Sequence, residues 1–302
     1  ADKATFDILV TAPKDKEVIS NGVLVKRTVD GDTATTHWRM SDPMATYLAY
    51  FGAGDFIIDE GTSPDGIPYY NAVSENLPDS SRANAQEAVG LTAEITDWLQ
   101  ERLGKYPFAT TGGLVTSIDV GFALENQSRP TYGDWIYPSV VVHELAHQWF
   151  GDSVSVQTWA DIWLNEGFAT YLEADYDAEH GGPSVNDWLH DAYDDQCQSS
   201  DSAFWELDLS DPGADSIFAP PVYERGALVL GALRNRIGDD DFHDLLRGWV
   251  RDFEDKNATV AQFEDAAEKV SGEDLDGFFE AWLRGGEAPE GTDDNGLDHA
   301  CP

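Results

Sequence analysis

The stretch Val141-Val142-His143-Glu144-Leu145-Ala146-His147-Gln148-Trp149-Phe150 decides the reading of this chain. It contains H-E-x-x-H. On a helix, residues four apart lie one turn apart on the same face. The imidazoles of His143 and His147 can then converge on one metal ion, and Glu144 can reach a water bound to it. Zinc takes four ligands, and a catalytic zinc keeps one place for water, so two histidines are one short. The segment Trp163-Leu164-Asn165-Glu166-Gly167-Phe168-Ala169 supplies a candidate, with Glu166 nineteen positions after His147. Two antiparallel helices would return Glu166 to the histidines, and residues 151–160 are long enough to join them.

The competing reading is a surface helix with two exposed histidines. The flanking residues Val141, Val142, Leu145, Ala146, Trp149 and Phe150 speak against it, because a helix apolar nearly all round is buried. Buried histidines beside a buried glutamate need partners, and a metal supplies one. Glu173 lies seven residues after Glu166, on the same helical face. It either orients a ligand histidine as an outer carboxylate or faces solvent. His37, His180, His190, His243 and His299 stand alone in the sequence and read as ordinary residues.

Around this core the pattern is β first and helical later. Thr5–Thr11, Val23–Val29 and Thr33–Met40 read as strands, with Asp30-Gly31-Asp32 as the turn of a hairpin. Ala45–Ile58 is aromatic and β-rich, broken by Gly52 and Gly54. Helical periodicity runs from Ser80 to Leu103 and stops at Gly104. Gly113–Ile118 and Phe122–Asn126 read as strands, and Pro138 opens the helix of the opening motif, which ends near Gly151. Further helices are expected at 161–179, 186–195, 223–237, 240–253, 260–270 and 275–283, with an irregular tail after them. The expected domains are 1–59 as the end of a β-rich lobe, 60–285 as an α+β domain carrying the metal motif, and 286–302 as tail.

The 302 residues carry 18 Lys+Arg against 57 Asp+Glu, a formal charge of −39. Such a field repels phosphate backbones and anionic lipid, so nucleic-acid and membrane partners are not expected. The excess reads either as a plain acidic surface or as adaptation to high salt, where screening removes the repulsion. No stretch approaches the ~20 apolar residues of a membrane span. The two cysteines, Cys197 and Cys301, either form one bridge pinning the tail, which would suit an exported protein, or stand as unrelated thiols. No G-x-S-x-G is present, which disfavours a serine hydrolase.

Taken together, H-E-L-A-H-Q-W-F-G-D at 143–152 and W-L-N-E-G-F-A at 163–169 resemble the aminopeptidase N family of zinc metallopeptidases, the gluzincins. Two further segments extend the likeness. Gly121-Phe122-Ala123-Leu124-Glu125-Asn126 resembles the family's G-x-M-E-N exopeptidase motif, and Val222-Tyr223-Glu224-Arg225-Gly226-Ala227 resembles its Y-E-K-G-A segment. The resemblance implies a thermolysin-like catalytic domain with one Zn2+ per chain, acting on peptides with a free N-terminus. It implies His143, His147 and Glu166 as metal ligands and Glu144 as general base. It further implies that Glu125 holds the substrate's ammonium and Tyr223 donates to the developing oxyanion. The backbone of Gly121, Phe122 and Ala123 would pair with the substrate, with Asn126 closing the motif.

The departures are Leu124 where the family has Met and Arg225 where it has Lys. The family's amine pocket also draws a second polar residue from the N-terminal lobe, and no counterpart is recognisable in the sequence. With the lobe incomplete, an open-cleft endopeptidase and an inactive zinc- and peptide-binding fragment are the alternative readings.

Overall fold

The computed structural model describes residues 2–198 and 203–301. It divides into two compact units, residues 1–153 and 154–302.

The first unit begins with strands β1 (Lys3–Pro13), β2 (Glu17–Ser20), β3 (Val23–Asp30) and β4 (Thr33–Ala45). β4 lies between β1 and β3, antiparallel to both. The expected hairpin closes where Asp30 pairs with Thr33 and Gly31 takes φ 61°. β5 (Phe51–Gly54) pairs with β2. β6 (Phe56–Thr62) and β7 (Pro68–Ser74) then start a third sheet. After helices α1 (Asp79–Gly90) and α2 (Thr92–Leu103), strands β8 (Thr111–Val115) and β9 (Thr131–Tyr132) extend that sheet in parallel. Helix α3 (Pro138–Ala146) ends the series. The α+β expectation holds.

One buried cation ties the three sheets. The Arg129 guanidinium lies 4.8 Å from the Trp38 ring of β4 and 5.2 Å from the Tyr70 ring of β7. Its nitrogens donate to the carbonyls of Ser20, Gly22 and Tyr70. Gly22 is required there: its φ is 76°, and a Cβ would sit 2.0 Å from the Arg39 carbonyl oxygen.

In the second unit, the short β10 (Ser155–Val156) pairs in parallel with β11 (Asn257–Ala258). A 3₁₀ turn at Trp159–Asp161 carries a Thr158/Asp161 capping box and leads into α4 (Trp163–Glu179). The Asp161 Oδ1 also accepts from the Val260 amide at 3.0 Å. Helices α5 (Val185–Gln198), α6 (Ala203–Glu206), α7 (Pro220–Ile237), α8 (Asp239–Phe253), α9 (Val260–Ser271) and α10 (Asp276–Phe279) follow, the last running on as a π turn to Arg284. Trp163, Phe168, Trp249, Phe263 and Phe279 pack edge-on and stacked as its aromatic core. Cys197 and Cys301 are bridged, so the open choice between disulfide and free thiols falls to the disulfide. No helix among the described residues is long and apolar enough to cross a membrane.

Several expectations are corrected. The helix read over 80–103 is two helices. Gly90 is a weak helix former, and the Val89 carbonyl accepts from the Asn71 and Thr92 side chains instead of continuing the ladder. The strand expected over 122–126 shrinks to one antiparallel bridge, Leu124 with Thr131. Pairing stops because Ser128 turns the chain at φ 67° and Pro130 has no N–H to donate. Regular helix in α3 stops at Ala146; wider turns (Asp152 N–H to His147 O, 3.0 Å) carry the chain on to Ser153. β2, β7 and α6 were not legible in the sequence.

Candidate functional site

Helix α3 opens with Pro138, whose fixed φ suits a first helical position. Its apolar residues Val141, Val142, Leu145 and Ala146 are fully buried, as the pattern requires. Just beyond it, Trp149 donates to the Gly104 carbonyl at 3.2 Å and packs on Tyr106.

His143 and His147 lie one turn apart, ring centroids 4.7 Å apart, with a ligand-type nitrogen of each within 4.8 Å of the other's. The His147 ring is only 2% exposed. Its Nδ1 donates to the Phe150 carbonyl at 3.0 Å, so Nε2 is the ring nitrogen that can serve as a ligand. That tautomer is the one a metal needs. Glu144, 6% exposed, stands between them.

Gln148 connects this helix to the exopeptidase-like loop. Its Oε1 accepts from the Ser128 amide at 2.6 Å, and its Nε2 donates to the Glu125 carbonyl at 3.2 Å. The N-terminal strands hold the same loop from the other side. Asn126 Nδ2 donates to the Leu48 carbonyl at 2.9 Å, Asn21 Nδ2 donates to the Gln127 carbonyl at 3.0 Å, and Ser128 Oγ accepts from the Gly22 amide at 2.8 Å. Most directly, the Tyr47 hydroxyl donates to Glu125 Oε1 at 2.8 Å. Gly121 and Phe122 are exposed, and Phe122 and Leu124 line an apolar groove of about 340 Å³ with Phe51, Phe56 and Ile118.

The carboxylates here act on one another. Asp152 is fully buried, and its acidity is weakened well beyond the usual carboxylate range. Burial is the main cause, and the Glu125 and Glu144 charges add to it while Lys3 opposes it. The Tyr132 hydroxyl is likewise pushed up, by burial and then by Glu144. This negative field favours a cation bound beside it.

The second unit holds the remaining candidates. Glu166 is 6% exposed in the first turn of α4, and the half-buried Glu173 lies two turns on. Tyr223, also half-buried, sits in the first turn of α7. The two helices touch through glycines: a Cβ on Gly167 would lie 2.8 Å from the Gly226 carbonyl carbon. Arg225, in place of the family's lysine, is fully buried and donates to the carbonyls of Phe204, Trp205, Trp282 and Leu283 at 2.8–3.1 Å. Burial lowers its pKa to about 10.

Tyr47 and Gln148 had no signal of their own in the sequence; each gains its place from a contact across 78 and 23 residues respectively.

A family model described as the peptidase family M1 domain matches residues 111–282, which contain all four motifs. The chain belongs to peptidase family M1. Among curated relatives, rat glutamyl aminopeptidase is 30% identical over 305 residues, covering 93% of this chain and 32% of the relative. A probable aminopeptidase 2 of Sulfurisphaera tokodaii is 26% identical over 305 residues, covering 94% of this chain and 38% of the relative. The M1 chain therefore spans about a third of the length of such curated relatives. In structure it is similar to an M1 zinc metallopeptidase from Deinococcus radiodurans crystallised with a Tyr-Ser-Ala substrate. The TM-score is 0.85 at 27% identity, covering 95% of this chain and 65% of that one.

Proposed function

We propose that this chain is the catalytic part of a zinc-dependent aminopeptidase that removes the N-terminal residue of peptides. The observation that carries the reading is the family M1 match over 111–282, which contains the H-E-x-x-H helix with His147 Nδ1 donating to the Phe150 carbonyl. The family's solved members include zinc metallopeptidases. The donor chemistry suits that metal: two imidazoles from α3, with Glu166 of α4 as the third ligand, leave one position open. When bound, zinc polarises the scissile carbonyl and lowers the pKa of a ligand water to about 7.

The protein's own groups do the rest. Glu144 takes the proton of the attacking water and returns it to the leaving amine. Tyr223 donates its hydroxyl to the oxygen that gains charge at the scissile carbon. Glu125 pairs with the substrate's α-ammonium, and the hydroxyl of Tyr47 aims that carboxylate. Gly121, Phe122 and Ala123 pair through their backbone with an extended substrate, and Asn126 anchors their loop to Leu48. Glu173 orients a ligand histidine from outside the metal shell.

The test is turnover of a leucyl fluorogenic amide beside its N-acetylated twin, with zinc present. Cleavage of the free amine alone supports the proposal. Cleavage of both makes the chain an open-cleft endopeptidase, and cleavage of neither makes it a zinc- and peptide-binding fragment.

A further inference from the structure

The histidines that stand alone in the sequence do not all stand alone in the fold. His190 comes from α5 and His299 from the C-terminal tail, yet their ring centroids lie 4.8 Å apart. Asp298 sits against both: its Oδ1 is 3.4 Å from His190 Nε2 and 2.9 Å from His299 Nδ1. One ligand atom from each of the three lies within 4.8 Å of the others. Tetrahedral zinc with bonds of ~2.0–2.1 Å places its ligand atoms ~3.4 Å apart. The two separations from Asp298 Oδ1, 3.4 and 2.9 Å, bracket that spacing.

We propose that His190, Asp298 and His299 form a second metal site, for a divalent transition metal of the zinc class. Three observations besides the cluster support it. First, the far nitrogen of His299, Nε2, donates to Asp194 Oδ1 at 2.8 Å. An outer carboxylate on the distant ring nitrogen fixes the tautomer whose Nδ1 is a ligand, as in carboxylate–histidine–metal arrangements.

Second, the site is held before any ion arrives. His190, Asp194 and Cys197 follow one another at helical spacing along one face of α5. Cys301, two residues after His299, is disulfide-bonded to Cys197 with Cα atoms 5.4 Å apart. The bridge pins the tail across that face, so little chain entropy remains to oppose binding.

Third, the donor set and charge agree. Two imidazoles with carboxylate oxygen favour zinc-like ions over calcium or magnesium, which take all-oxygen shells. Asp194 and Asp298 together balance a double positive charge. The side chains of His190, His299 and Asp298 are 20%, 36% and 72% exposed, which leaves a path for the ion and a position for water.

In the metal-free state both ring nitrogens of His299 face carboxylates, Nδ1 that of Asp298 and Nε2 that of Asp194. A metal ion therefore takes the place of the Nδ1 proton, which leaves to solvent, and binding tightens as pH rises.

The test is zinc stoichiometry by elemental analysis and equilibrium dialysis on the stripped, reloaded chain. The proposal expects an ion that survives in a His143→Ala/His147→Ala variant and is lost in His190→Ala/His299→Ala. Asp194→Asn, which leaves the three ligands in place, should weaken that ion's affinity about 10–100-fold. An ion count unchanged by the His190/His299 substitutions overturns the proposal and makes the cluster an ion-pair knot. Loss of all zinc on replacing His143 and His147 alone also overturns it. Should only the His190/His299 ion be found, this site stands and the zinc ligands proposed on α3 fall.

Discussion

The Tyr47 hydroxyl donates to Glu125 Oε1 at 2.8 Å, joining the end of the N-terminal β segment to the exopeptidase-like loop. No second polar residue for an amine pocket was recognisable in the sequence. If Glu125 holds the substrate's ammonium as proposed, Tyr47 would be that residue, on a carboxylate whose loop is already fastened by Asn126 and Gln148.

Tyr47→Phe removes the donor and keeps the ring. A hydrogen bond to a charged group contributes about 1.5–3 kcal/mol, so KM for peptides with a free amine should rise about 10-fold or more. The turnover number should change much less, because the tyrosine touches Glu125 and not the scissile bond. Steady-state kinetics decide it, and an unchanged KM would exclude a role in aiming Glu125.

Glu144→Gln keeps the shape of the side chain and removes its basicity. Turnover should fall by about 10³-fold or more, while zinc content, measured by elemental analysis, stays the same. A variant with normal turnover would remove Glu144 from the role of general base.

Gly226→Ala tests the helix crossing. The added Cβ would sit 2.9 Å from the Gly167 Cα, where only backbone could yield. Separating α4 from α7 should cost about 1–3 kcal/mol and lower activity, since α4 carries Glu166 and α7 carries Tyr223. An unchanged urea midpoint would show that the crossing relaxes freely.

The Cys197–Cys301 bridge closes a loop of 104 residues. Replacing both cysteines by serine should lower stability by about 2–4 kcal/mol, through the freedom returned to the unfolded chain. Denaturant melts of the oxidised wild type and the variant give the difference, and coincident curves would deny the bridge a stabilising role.

The charge of −39 predicts a salt response. Molar KCl shortens the screening length to about 3 Å, which relieves repulsion among surface carboxylates. The melting temperature should therefore rise between dilute buffer and molar KCl, and a flat response would leave the acidity as plain surface composition.

The metal helix was legible because everything it needs is local. His143, Glu144 and His147 share one turn, and the apolar flanks announce burial without any knowledge of the partner. The α+β order, the hairpin at Gly31 and the later helices were legible for the same reason, since periodicity and turn chemistry act over a few residues. The break at Gly90-Leu91 was missed because a side chain on another strand, Asn71, captures the Val89 carbonyl. The strand expected at Phe122–Asn126 failed because alternation marks a strand but says nothing about whether a partner strand is in reach.

By itself, then, the sequence determined the H-E-x-x-H motif, the class of fold and the family to which the chain belongs, all written in neighbouring residues. The tertiary structure alone decided that Tyr47 meets Glu125, that Gln148 clasps the loop, that Cys197 bridges Cys301, and that His190 meets His299. Those pairs lie 78, 23, 104 and 109 positions apart. Over such separations no local pattern records a contact, and only the packing of sheets and helices brings the groups together.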